Sequence, residues 1–232
     1  GEGQQVLMLA VIAADTGGSG AINTDGLGDE IDFGAVTVGV SPAAVARFFT
    51  NTSSVPFASV AVAAVPARNH DFAWISSGTW SILGAELREP ILTAASLKNN
   101  FTNEGGVGGT FQFSKNITGL WLVQECRRQW AHAGDEISYE ELTRMAAQAK
   151  SFCAVIDVDD TDFLKPGDMP ARIRAYCERT GQASPQSNGE FVRCALEGIA
   201  LKYRNVLERL EEMIGRRLEP IHIVGGGTKN RL

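Results

Sequence analysis

The sequence predicts an α/β fold, and three stretches carry that prediction. Residues 72–124 read as strand, turn, strand and helix, with hydroxyls, amides and glycines interrupting an otherwise apolar pattern. Residues 189–214 hold a helical period of 3.6, with Phe191, Cys194, Ala195, Ile199, Tyr203, Val206, Leu207, Leu210, Met213 and Ile214 on one face. Residues 220–224 form a short strand that runs straight into Gly225-Gly226-Gly227. A helix between strands, and a strand that ends in glycines, is the pattern of layered α/β proteins.

Residues 6–14 are a continuous apolar run bounded by turn residues, which fits a buried strand, and residues 31–40 fit a second. Ser41-Pro42 opens a short helix over 43–49, with Ser as N-cap and Pro at the first helical position. Residues 59–66 are small and apolar and fit either a helix or a buried strand. Two strands, 72–77 and 79–86, flank Gly78. A loop over 90–103 and a glycine-rich stretch over 104–109 lead to a short strand at 110–113. A helix spans 117–133 and stops at Gly134. Ser138 followed by Glu141 is a capping box that opens a helix to about Lys150. Residues 156–162 carry four aspartates without the spacing of a calcium loop, so they read as a solvated acidic loop. A short amphipathic helix covers 169–179. Asn188 caps the long helix 189–214, and Gly215 ends it.

Composition narrows the function. Of 232 residues, 44% are hydrophobic and 21% charged, an ordinary globular balance. A net charge of −6 argues against nucleic-acid partners, which demand a basic face. The longest apolar runs fall short of the ~18 residues of a membrane span, so no membrane association is expected. The run at 6–14 has no basic flank and is not read as a signal peptide. Cys126, Cys153, Cys177 and Cys194 are widely spaced with no C-x-x-C, which gives no zinc motif and predicts free thiols in a reducing cytoplasm. The chain begins at Gly1 and stops just past a glycine turn, which points to a piece of a longer protein.

Three local patterns suit a polar ligand. A strand ending in Gly225-Gly226-Gly227 lets a ligand approach the backbone, and a following helix would add phosphate-favouring N–H groups. It is neither a P-loop nor a dinucleotide fingerprint, because the required glycine and lysine spacing is absent. Asp15-Thr16-Gly17-Gly18 reads either as a glycine-rich surface turn or as a carboxylate-and-glycine loop that holds a metal–phosphate. The third is residues 72–124, whose small polar groups crowd around turns.

Four blocks occur in a fixed order: Ile75-Ser76-Ser77-Gly78-Thr79-Trp80-Ser81; Thr102-Asn103-Glu104-Gly105-Gly106; Lys115-Asn116-Ile117, Gly119-Leu120-Trp121-Leu122 and Gln124-Glu125; and Ile221-His222-Ile223-Val224-Gly225-Gly226-Gly227. Together they closely resemble the rhamnulokinase group of the FGGY carbohydrate kinases, over residues 58–232. The resemblance implies a mixed sheet flanked by helices in an actin-like, ribonuclease-H-like fold. It further implies two such domains, with sugar and ATP between them. It implies transfer of the γ-phosphoryl of ATP, with Mg2+, to the 1-hydroxyl of L-rhamnulose. By the same resemblance Thr79 contacts nucleotide phosphate, Gln124 and Gly226 help bind ATP, and Asn116 lies near the sugar or the transferring phosphate. Cys177 and Cys194 match a pair that can form a disulfide in that family.

The chain departs from the family where the chemistry starts. The family carries His-Asp-Thr just before the small apolar run at 62–67, and its Asp is the general base. The matching positions here are Pro56, Phe57 and Ala58, none of which accepts a proton. His70-Asp71 is the only His-Asp pair, and it reads as a solvated turn. Residues 1–57 stand where the family has a whole sugar-binding domain, either as a remnant of it, with Asp15 echoing its phosphate loop, or as an unrelated segment. The expectation is a kinase domain over 58–232, incomplete and weakly active or inactive alone, with self-association through an exposed inter-domain face. A non-catalytic ATP- or sugar-binding module and a kinase of another sugar are the alternative readings.

Overall fold

A computed structural model describes Val65, residues 71–106 and 109–230, and the backbone of two strands, β1 (Val6–Ala10) and β2 (Ala46–Thr50). β1 and β2 pair antiparallel, Val6 opposite Thr50. Strand β2 therefore replaces most of the helix expected over 43–49, in keeping with the aromatic and β-branched side chains of Phe48, Phe49 and Thr50. The strand expected at 31–40, the Asp15 turn, Phe57 and His70 lie outside the described residues.

The main sheet has five strands. β3 (Ala73–Ser77) and β4 (Trp80–Leu87) make the expected hairpin around Gly78. β5 (Thr102–Gly105) and β6 (Phe111–Thr118) continue the antiparallel pairing outward from β4, while β7 (Ile221–Val224) lies parallel to β3 on the other side. The order is β5-β6-β4-β3-β7. The expected loop at 90–103 contains a short helix, α1 (Ala94–Lys98), closed by a capping box between Thr93 and Ser96. β6 is longer than expected at its C-terminal end. Ile117 and Thr118 pair with Ser81 and Trp80, so the helix after it, α2 (Trp121–His132), begins four residues late. Both residues are β-branched, and Ile117 is buried in the sheet core, which favours the strand over the helix.

Three further helices complete the described chain. Ser138 caps α3 (Tyr139–Gln148), its hydroxyl accepting from the Glu141 N–H at 3.1 Å. The reciprocal half of the box is missing, because the Glu141 carboxylate holds Arg144 instead. α4 (Met169–Arg179) has the expected bounds and is capped by Asp168. α5 (Asn188–Ile214) is capped by Ser187 rather than Asn188, with a complete box to Glu190, and Gly215 closes it in the left-handed region.

Strand alternation puts Ala73, Ile75, Leu83, Ala85, Phe113 and Ile117 on one face of the sheet. There they meet Leu122 and Cys126 of α2 and Phe191, Ala195, Ile199 and Leu210 of α5. Burying each large side chain of this set contributes about 1.5–3 kcal/mol. The four aspartates between α3 and α4 are not simply solvated. Asp157 and Asp159 bracket the Lys202 ammonium at 2.8 and 3.1 Å, and Asp160 and Asp162 receive Arg179 at 2.8 and 3.4 Å. Asp159 also accepts the Thr118 N–H at 2.8 Å, tying the loop to the end of β6. Asp71, expected in a solvated turn, is exposed but paired with Arg216 at 3.2 Å.

Candidate functional site

Helix α2 has no capping side chain at its N-terminus. The β3–β4 turn does that work. Gly78 O accepts from Leu120 N at 2.8 Å, and Thr79 O accepts from Trp121 N at 3.0 Å, so two otherwise orphaned helix N–H groups are satisfied by the hairpin. The contact requires Gly119, where a Cβ would stand 2.5 Å from Gly78 O and 2.6 Å from Ser81 Oγ. One turn into α2, Gln124 Nε2 donates to Thr79 Oγ1 at 3.0 Å. The threonine hydroxyl is thus exposed but oriented.

The hairpin is fastened from beneath and from the side. Tyr203 of α5 brings its hydroxyl to 2.6 Å from Ser81 Oγ and 3.3 Å from Ser77 Oγ. Beyond β7, Gly225 adopts φ 97 and lies against Ser77, where its Cβ would meet Ser77 O at 2.5 Å. A Cβ on Gly227 would fall on the Ser77 side chain. The glycine run is therefore needed for backbone packing as well as for ligand access. It leads into a short 3-10 turn, Gly226–Lys229, rather than the α-helix that would aim a row of N–H groups at a phosphate.

These elements enclose a cavity of about 810 Å3. Gly78, Thr79, Gln124 and Gly226 line one end, with Lys229 and Asn230 beside them. Leu120 and Val123 of α2, Leu142 and Ala147 of α3 and Val192 of α5 supply apolar surface, and Tyr139, Glu140, Thr143 and Arg144 complete the α3 wall. A ligand with a polar part and an apolar part fits such a lining. The polar end offers a hydroxyl, a carboxamide, an ammonium and glycine backbone, groups that position an anion without accepting a proton.

Three of the sequence-selected residues, Thr79, Gln124 and Gly226, therefore share one cavity. Asn116 does not line it. It is exposed on β6 opposite Ile82, on the sheet beyond the hairpin. Cys177 and Cys194 are both buried, and no bond joins them in this structure, where Cys126 and Cys153 are also free. Burial pushes the Cys194 thiol up to about 12 and raises Cys126, Cys153 and Cys177 as well. Among the described residues no cluster of three or more His, Cys, Asp or Glu could hold a metal ion, and no helix is long and apolar enough to cross a membrane. The α3 wall was missed from sequence. Its amphipathic pattern and Ser138 cap mark a helix, but nothing local says that its outer face turns toward a hairpin some sixty residues earlier.

The family model for the C-terminal domain of the FGGY carbohydrate kinases matches residues 73–232. The chain belongs to this family. It is 47% identical over 172 residues to a rhamnulokinase of Bacteroides thetaiotaomicron, and 42% identical over 174 residues to one of Enterococcus faecalis. Each alignment takes in 74% of this chain but 35% of the relative, so the chain spans about a third of the length of the curated relatives it matches. A xyloylose kinase from Brucella ovis shares the fold at a TM-score of 0.53 and 15% identity, over 80% of this chain and 36% of that one. The fold is that of the C-terminal FGGY domain, an actin-like, ribonuclease-H-like mixed sheet with helices.

Proposed function

We propose that this chain is the nucleotide-holding half of a rhamnulokinase-like sugar kinase. The reaction of the whole enzyme would be ATP and L-rhamnulose to ADP and L-rhamnulose 1-phosphate. One observation carries the reading. Thr79, Gln124 and Gly226 come from three distant parts of the sequence, line one cavity, and include a hydrogen-bonded pair. In this reading the Thr79 hydroxyl donates to a phosphate oxygen while Gln124 fixes its orientation. Gly226 lets the nucleotide lie against the backbone. Lys229 adds positive charge at the same end. Phosphoryl transfer depends on such positioning and charge stabilisation more than on covalent chemistry.

The residues at the polar end fit ATP. Glu140 is the one carboxylate among the described residues that line the cavity, so Mg2+ would be held chiefly by the phosphates; Asp15 stays a candidate for a phosphate loop. We assign Asn116 to the sugar or the transferring phosphate, residues 58–232 to one kinase domain, and residues 1–57 to a remnant or an unrelated segment. The protein is proposed to be cytoplasmic, to act on small molecules, and to self-associate through an exposed face.

Transfer also demands a base for the sugar hydroxyl, and the position that resemblance gives to it is Phe57. The chain alone should therefore bind ATP and transfer its phosphoryl group poorly. The test is ADP release by the purified chain with and without L-rhamnulose. We expect no sugar-dependent release, and robust release dependent on L-rhamnulose would overturn the reading of an incomplete enzyme. Phe57 also favours a second reading, a non-catalytic ATP- or sugar-binding module. Calorimetry with ATP and with L-rhamnulose distinguishes that module from a fragment that binds neither.

A further inference from the structure

We propose that Tyr139 is the nucleobase platform of this cavity, with the free surface of its ring carrying the base of the bound nucleotide. The inference rests on the reading of the cavity as an ATP site and assigns its apolar part. Tyr139 borders the cavity and is 51% exposed, outside the apolar core that covers the sheet. A large aromatic ring left half in water at a cavity wall contributes little to packing and offers a flat surface to a ligand.

The ring is held in place before any ligand arrives. Arg127 sets its guanidinium over one face, 4.8 Å from the centroid. Arg127 is itself fixed, since its Nε donates to Ile137 O at 2.7 Å. Tyr139 itself lines the cavity. Arg127 is three residues after Gln124 on α2, so both side chains leave the same face of that helix. Gln124 orients Thr79, and one helical turn on Arg127 orients Tyr139. Along α3 the cavity side runs through Tyr139, Thr143 and Ala147, a stripe at helical spacing that falls in size from ring to methyl. Thr143 donates its hydroxyl to Tyr139 O at 2.9 Å, so that hydroxyl is satisfied within the helix. The lining thus combines the Tyr139 ring with the apolar side chains of Val123, Leu142 and Val192 and the small Ala147. A heteroaromatic base fits that lining, and a guanidinium on one face of the ring does not obstruct stacking on the other.

The experiment is calorimetric titration of the purified chain with ATP and, separately, with inorganic tripolyphosphate, which has the phosphates without the base. Tyr139→Ala should weaken ATP about tenfold, the size of losing one base–aromatic stack, and leave tripolyphosphate unchanged. Tyr139→Phe, which keeps the ring, should bind ATP within about twofold of the unsubstituted chain. Thr79→Ala should weaken both ligands. If Tyr139→Ala binds ATP as the unsubstituted chain does, the platform is wrong while the ATP site stands. If Tyr139→Phe loses as much as Tyr139→Ala, the hydroxyl rather than the ring makes the contact, and stacking is overturned. If the unsubstituted chain binds neither ligand, or Thr79→Ala changes nothing, the ATP reading fails and takes the platform with it. Tyr139 is half exposed, so a matched thermal midpoint for each variant separates lost contact from lost fold.

Discussion

Thr79 is an exposed hydroxyl held by the half-buried Gln124, and the turn that carries it is anchored by a buried serine. Ser81, fully buried, stands two residues away and shares a hydrogen bond with the Tyr203 hydroxyl. Removing the Tyr203 hydroxyl would leave the serine without that partner, at a cost of about 1–3 kcal/mol. Tyr203→Phe should therefore lower the urea midpoint measurably while changing ATP affinity less than Thr79→Ala does. An unchanged midpoint would show that the hairpin does not depend on this contact. The cysteines give a second residue-scale expectation. With all four thiol values raised by burial first of all, the thiolate fraction at pH 7.5 is small. A disulfide reagent should titrate the native protein slowly and find four thiols once it is unfolded in denaturant. Two thiols instead of four would show that Cys177 and Cys194 are joined.

Among the elements, the acidic segment joined to α5 gives the clearest pH dependence. Burial of the Asp157 carboxyl raises its value, but the Lys202 hydrogen bond and the Asp159 N–H outweigh this, and the net shift is downward. Burial lowers Lys202, and hydrogen bonds to Asp157 and Asp159 overcome that to raise it. The depressed carboxyl contributes stability above its ordinary range and loses it as pH falls through the folded value. The raised ammonium contributes below its ordinary range and loses it as pH rises through the folded value. Lys202→Met should thus cost about 1–2 kcal/mol between about pH 5 and pH 9, between the limits for exposed and buried pairs. The gap to the unsubstituted chain in thermal midpoint should close in strong acid. A gap independent of pH would mean that Lys202 acts by packing alone. This segment also shows where sequence stops being informative. Four aspartates in seven residues look solvated because their partners, Lys202, Arg179 and the Thr118 N–H, are supplied by tertiary contact. The helices that depend on their own caps and periods, α4 and α5, were legible to within a residue. β6 was not, because Ile117 and Thr118 join a strand whose partners lie on β4, and α1 was hidden because it runs for only five residues.

For the whole molecule, the polar end of the cavity was legible through resemblance and its α3 wall was not, since that wall is assembled by the packing of α3 on α5. Among the described residues β7 pairs only with β3, and Ile221 and Ile223 are each nearly half exposed. Apolar side chains exposed on the marginal strand of the described sheet favour association. Light scattering should show mass rising with protein concentration, and Ile223→Lys should reduce it, whereas a mass independent of concentration would remove the case for this face. The central claim is that the β3–β4 turn, α2 and the glycine run after β7 together hold ATP. Calorimetric titration of the purified chain with ATP in the presence of Mg2+ tests it most directly. The account predicts saturable binding at one site, weakened about ten- to a hundredfold by Thr79→Ala, the range expected for one lost hydrogen bond to a charged group. Absence of binding, or binding that Thr79→Ala leaves untouched, would contradict it.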